Sequence, residues 1–440
     1  MVGITKMKAE KQKAEKEAFF CTTKELSRLG LEQIPTQFQS HKHLIYSSPA
    51  TLAFNSPGAE GFGVKRAGLA VPDSIMLIVA PGCCGRNTSL ISSMKEYNDR
   101  FYYLMMDETD IVTGRHLKKI PKAVEEICSV CPKKPSVVMI CITCVDALLG
   151  TDMERVCKKA EEQVEIPVRP CYMYALTREG RKPPMVHVRQ SLYSLLEPGK
   201  KKGNVVNLLG FFSPLVDDCE IYDLLHSAGV KTIHEISRCK DYMEYQTMSE
   251  ANFNLVLHHE ARFAAEDFHN RLQIPFIELR RLYQIDKIEN QYHALGNALG
   301  VAFYDEKYKK QAEDALEKFR QKCPDASFAI GECLNADPFE LALALIRYGF
   351  SVPEIYGTIT VENFTYIRSL AKISPETKVF SNMEPTMIYY DPAKSGVNLA
   401  IGKDACYYHP DCPYVMWNGE EQPYGYAGVR RLFEQLLEVV

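Results

Sequence analysis

Short apolar runs without polar alternation, each followed by a helix-like segment, recur along this chain and limit its fold class. Ile75–Val79, Val137–Ile140, Val205–Leu209, Ser327–Ile330 and Val352–Tyr356 are such runs. A strand with no polar face is buried on both sides, as in a parallel sheet covered by helices. The alternation predicts an α/β protein with parallel sheets. At 440 residues the chain is too long for one hydrophobic core. The pattern restarts after the Pro198-Gly199-Lys200-Lys201-Lys202-Gly203 joint and again after Gly300. The expected organisation is an N-terminal arm over 1–44 and three similar units over 45–200, 201–300 and 301–440.

Two of these runs end in cysteine. The first continues as Ala80-Pro81-Gly82-Cys83-Cys84-Gly85, the second as Cys141-Ile142-Thr143-Cys144. Ligands of open α/β sheets collect outside the carboxyl ends of the strands. Neighbouring strands would bring Cys83, Cys84, Cys141 and Cys144 together there, and thiolates are the usual ligands of iron–sulfur clusters. The plain alternative is that these thiols fill core space, as buried cysteines often do. Fifteen cysteines scattered through a chain that opens on a Lys/Glu-rich segment fit a reducing, cytoplasmic setting better than a disulfide scaffold.

Other constellations carry less. Cys128-x2-Cys131 with Cys141-x2-Cys144 mimics a four-thiolate zinc site, but a strand between the pairs would separate them. Cys406-x2-His409-x2-Cys412 lacks a fourth ligand nearby. His258 and His259, as strand neighbours, are expected on opposite faces and so unable to share an ion. Glu108 and Asp110 could serve acid–base chemistry, although acidic pairs in loops are usually just solvated. There is no Gly-x4-Gly-Lys-Ser/Thr loop, and Gly58, Gly61 and Gly63 have the wrong spacing for a dinucleotide turn. Nucleotide and nicotinamide cofactors are therefore disfavoured. A net charge of −4 gives no sign of nucleic-acid binding, and no apolar run reaches the roughly 20 residues of a membrane span.

Four pieces in order carry a family resemblance over about residues 45–440. They are Pro81-Gly82-Cys83-Cys84-Gly85; Thr143-Cys144 with Gly150 and Asp152; Asn254-Leu255-Val256 with Ala264–Leu272 and Ile274-Pro275; and Pro423-Tyr424-Gly425-Tyr426-Ala427-Gly428. Together they resemble component 1 of nitrogenase and its relatives. Those relatives include dark-operative protochlorophyllide reductase, the nickel-tetrapyrrole reductive cyclase, methylthio-alkane reductase and the cofactor-assembly scaffold.

The resemblance implies three Rossmann-like domains and pairing with an identical or similar subunit. It implies an interface cluster fed by a separate ATP-dependent iron protein. Cys83 and Cys144 take the ligand places, with Cys84 and Cys141 as adjacent thiols that could substitute. A further family cysteine is absent from Phe54-Asn55-Ser56-Pro57-Gly58-Ala59, leaving Asn55 or Ser56 as weaker oxygen ligands. Two matched cysteines per chain, doubled by a dyad, suit one [4Fe–4S] cluster. His258 matches the position of the cysteine that holds the nitrogenase cofactor. The matching place for its histidine falls near Met416-Trp417, where there is none. That argues against dinitrogen as substrate.

The expected function is a nitrogenase-like reductase that reduces another substrate in an interdomain cleft, with His258 as proton donor. The cleft is expected to take an organic ring or small unsaturated molecule, or a second metallocofactor or a tetrapyrrole. The rival is a non-catalytic scaffold or carrier on which a metallocofactor is assembled.

Overall fold

The computed structural model describes residues 17–39, 49–54, 63–82, 97, 99–172 and 182–440. The segments 1–16 and 55–62, including the expected lead-in helix and the Ser56–Gly61 turn, lie outside the described residues.

The chain enters through strand β1 (Phe20–Thr22). Strands β2 (Ile75–Ala80), β3 (Phe101–Met105), β4 (Val138–Ile142) and β5 (Val168–Tyr172) form a parallel sheet in the order β3-β2-β4-β5. Strands β6 (Val205–Leu209), β7 (Thr232–His234), β8 (Phe253–Val256) and β9 (Phe276–Glu278) form a second, in the order β7-β6-β8-β9. Strands β10 (Ser327–Ile330), β11 (Ser351–Tyr356), β12 (Lys378–Phe380), β13 (Leu399–Ile401) and β14 (Tyr414–Val415) form the third, in the order β1-β12-β11-β10-β13-β14. Every pairing within these sheets is parallel except β1 on β12. The α/β class with parallel sheets, read from the unbroken apolar runs, is what the chain adopts.

Burial explains why the runs lack alternation. All six residues of β2 are buried. Ile75, Leu77 and Val79 face a cluster with Ile120, Val124 and Ile127 of the helix His116–Val130. Met76, Ile78 and Ala80 face another with Val188 and Leu192 of the helix Pro184–Tyr193. Both faces are covered, and each fully buried aliphatic side chain contributes about 1.5–3 kcal/mol.

Three local features stand out. The helix that covers β2 begins at His116, and Pro121 lies buried inside it. Only one backbone donor is lost, and the apolar face through Ile120, Val124 and Ile127 outweighs it. Cys141 is not in a turn but within β4. Residues 17–39 pack onto the third sheet, since β1 pairs with β12 and the N–H of Ile359 donates to the carbonyl of Phe38 at 2.9 Å.

Two features position a cleft. In the second sheet β6 lies between β7 and β8, and in the third β10 lies between β11 and β13. Each is a point where the strand order reverses, and the loops at such points form binding crevices. The loops after β6, β8 and β9 and the loop after β10 line one common cavity.

Candidate functional site

The first candidate region is the carboxyl edge of β2 and β4. These strands are adjacent and parallel, with Val79 opposite Ile142. Pro81-Gly82 and Thr143-Cys144 therefore leave the sheet on the same side. Cys144 opens the helix Cys144–Leu149 directly beyond β4. Cys83 and Cys84 lie outside the described residues. Cys141 is fully buried in the core between strands, opposite Cys171 in the ladder.

The surroundings of Cys144 suit an inorganic group. Thr143 Oγ1 and Asp146 Oδ2 are buried and have no hydrogen-bond partner among the described residues. Buried polar atoms are almost always satisfied, so these two are free to take a further partner. Asp146 Oδ1 lies 2.9 Å from Nε2 of His116, and Thr151 Oγ1 donates to it at 3.3 Å. His116 Nδ1 lies 3.0 Å from the carbonyl of Asp110. This buried network ties the segment after β3 to the segment after β4. It was not foreseen; the signal was the acidic residue two places after Cys144.

The second region is the cleft over His258. Gly210, directly after β6, has φ +143°, and a Cβ there would stand 2.8 Å from the His258 backbone nitrogen. Only glycine lets the two loops pass so closely. Arg189 fastens them: Nε and Nη2 donate to the Gly210 carbonyl at 3.1 and 2.7 Å, and Nη1 donates to Glu260 at 2.8 Å. The ring of His258 lies 4.5 Å from that of His259, nearly parallel, and 5.7 Å from that of Phe211. The expected opposite-face arrangement of the two histidines is thus absent, because β8 has ended at Val256 and the turn replaces the pleat.

Burial, together with the neighbouring Arg189, His259 and Arg281, holds the His258 imidazole well below its usual pKa. At neutral pH it is uncharged. Its Nδ1 accepts from the Glu260 N–H at 3.4 Å, which leaves Nε2–H as the donor. A neutral imidazole can donate a hydrogen bond there.

Further charged groups line the cavity. Arg262 grips Glu278 with two contacts of 2.7 Å. Asp337 caps the helix Pro338–Arg347 through the N–H groups of Phe339 and Glu340, and burial pushes its pKa up to about 6. The Arg281 guanidinium lies 4.4 Å over the Phe211 ring and donates to Gln422 Oε1 at 2.6 Å. Sequence reading missed these arginines, although Arg280-Arg281 directly after β9 was the visible signal. Among the described residues no cysteine lines the cavity and no cluster of three metal-ligating side chains occurs. A metal held by protein thiolates does not fit this cleft.

The remaining candidates have structural duties. Asp110 is buried, paired with Lys119 at 2.6 Å and Arg115 at 2.9 Å, which hold its carboxyl below the usual range. His409 contacts Tyr390 at 2.9 Å and Glu354 at 3.3 Å, while the thiols of Cys406 and Cys412 face the carbonyls of Val415 and Val397. The Cys131 thiol lies 3.1 Å from the Tyr102 hydroxyl. No described helix is long and apolar enough to cross a membrane.

Comparison with known proteins agrees with this architecture. The nitrogenase iron-molybdenum cofactor biosynthesis protein NifE of Sinorhizobium fredii (strain NBRC 101917 / NGR234) is 25% identical over 418 residues, covering 89% of this chain and 82% of that protein. NifE of Nostoc sp. (strain PCC 7120) is 25% identical over 284 residues, 61% of this chain and 58% of that protein. NifE of Clostridium pasteurianum is 24% identical over 256 residues, 56% and 54% of the two. The last two alignments span just over half of those relatives. Nitrogenase Cp1 solved at pH 6.5 superposes with a TM-score of 0.68 at 18% identity, covering 90% of this chain and 92% of that one. Cp1 at pH 5 gives 0.63 at 16% identity, with 98% and 95% covered. The family model for nitrogenase component 1 type oxidoreductases matches residues 60–440, and the chain belongs to that family.

Proposed function

We propose that this chain is a subunit of a metallocofactor scaffold, and not a substrate-reducing enzyme. Cys83 and Cys144, doubled by a paired subunit, hold a [4Fe–4S] cluster at the interface. The cleft over His258 holds a cofactor intermediate as cargo. The observation that carries this reading is the make-up of the cleft. It offers arginines and a neutral imidazole in place of a thiolate anchor, which suits a ligand that must leave again. The cofactor-biosynthesis relatives support it. When bound, the cluster supplies one-electron chemistry. Thr143 Oγ1 would be free to donate a hydrogen bond to it, and the Asp146–His116 pair fixes the helix that begins at Cys144. Cys141 is left to core packing.

The reductase reading keeps the same cluster and the same ATP-dependent iron protein as partner. One experiment separates the two. The anaerobically purified chain with its paired subunit is given a reduced iron protein and ATP. A scaffold shows reduction of the interface cluster and transfer of the cleft-bound cargo to an apo acceptor protein, without sustained turnover. Continuous reduction of an added substrate would favour the enzyme.

A further inference from the structure

The cavity over His258 measures about 420 Å³, within the range of small-molecule sites. Its charges are unevenly satisfied. Glu260 is paired with Arg189, Glu278 with Arg262, and Asp337 with the backbone of its own helix. Glu362 is exposed at the cavity's edge. Arg281 has no carboxylate partner among the described residues, and its one side-chain hydrogen bond goes to the neutral Gln422. A guanidinium carries five N–H donors in a planar fork. Its Nε is buried with no hydrogen-bond partner among the described residues, and the guanidinium lies half-buried against Phe211. A charge withdrawn from water without a partner is costly. A planar fork of this kind matches a carboxylate or phosphate group.

We propose that the cleft recognises its ligand through an oxyanion group, a carboxylate or a phosphate, seated on Arg281 beside the ring of Phe211. The body of the ligand lies against Phe212, Leu334 and Tyr366. This rests on reading the cleft as the cargo site; it does not rest on the iron ligands.

The test is calorimetric titration of the full chain with citrate in one arm and inorganic phosphate in the other. At least one anion should bind saturably, and the arm that binds tells carboxylate from phosphate. Arg281→Gln should weaken that binding about tenfold or more, the size of a charge-assisted hydrogen bond. Arg431→Gln, which removes a cation paired with Asp218 elsewhere, should change it less than about twofold, well under one such bond. Gln422→Glu gives Arg281 an internal carboxylate and should abolish anion binding without removing the arginine, so a poorly folded Arg281→Gln does not leave the question open. Absence of saturable binding of either anion, or equal binding by wild type and both cleft variants, overturns the proposal. Iron content is measured alongside: a chain that binds citrate but no iron counts against the cluster reading alone.

Discussion

Gly210 and His258 belong to different loops yet lie so close that a methyl group on Gly210 would meet the His258 backbone nitrogen at 2.8 Å and its Cβ at 3.0 Å. Gly210 also has φ +143°, where other residues are strained by about 1–3 kcal/mol. Gly210→Ala is expected to lower stability by at least that amount, read from the shift in urea midpoint. It should also weaken any ligand of the cleft, since the His258 loop must move.

His258 predicts a pH dependence. Its folded pKa lies well below the usual value because of burial and nearby cations. An unfolded histidine titrates near pH 6.5. Above that pH both states are neutral and the group contributes nothing. Below it the unfolded chain takes a proton that the folded chain refuses, so stability falls as pH falls, by up to about 1.4 kcal/mol per pH unit. His187 and His234 have lowered pKa values for the same first cause, burial. The difference between wild type and His258→Gln isolates the one residue. The variant should lose less stability between pH 6.5 and 5.

Glu220 anchors the last helix. Its carboxylate accepts from the Tyr292 hydroxyl at 2.6 Å and from the N–H groups of Tyr426 and Ala427 at 2.6 and 3.0 Å. Gly425 has φ +58°, and a Cβ there would lie 1.9 Å from Glu220 Oε1. Glu220→Ala strands three buried donors, each costing about 1–3 kcal/mol. Both Glu220→Ala and Gly425→Ala should lower the thermal midpoint by several degrees, with Glu220→Gln milder.

How far the sequence was legible follows from which forces act locally. Strands buried on both faces announce themselves as unbroken apolar runs, so β6 (Val205–Leu209) and β10 (Ser327–Ile330) have the expected bounds. The helix Glu306–Lys322 is legible as well, because its apolar face through Ala312, Ala315, Leu316 and Phe319 repeats at helical spacing. β1 was not legible. Three half-buried residues become a strand only because β12, more than 350 residues away, offers an edge. Cys144 could be placed at a strand end from local grammar. The pairing of His116 with Asp146 could not, since it depends on how a helix packs over the sheet. The Arg189–Gly210–Glu260 fastening was hidden for the same reason.

That buried pair gives a prediction of its own. Asp146→Ala leaves His116 Nε2 without its partner at 1% exposure, and a buried polar group left unsatisfied costs about 1–3 kcal/mol. The variant should unfold at lower urea concentration. If the pair positions Cys144, as proposed, the folded fraction should also lose bound iron faster to a chelator than wild type does.

The central claim is that Cys83 and Cys144 hold iron, and iron analysis of anaerobically purified variants tests it most directly. Wild type in a like pair should carry about two iron atoms per chain, half of one four-iron cluster, with the brown absorbance of such a cluster. Cys83→Ala and Cys144→Ala should each lose both signals, while Cys141→Ala keeps them. Wild-type iron in both of the first two variants would contradict the account.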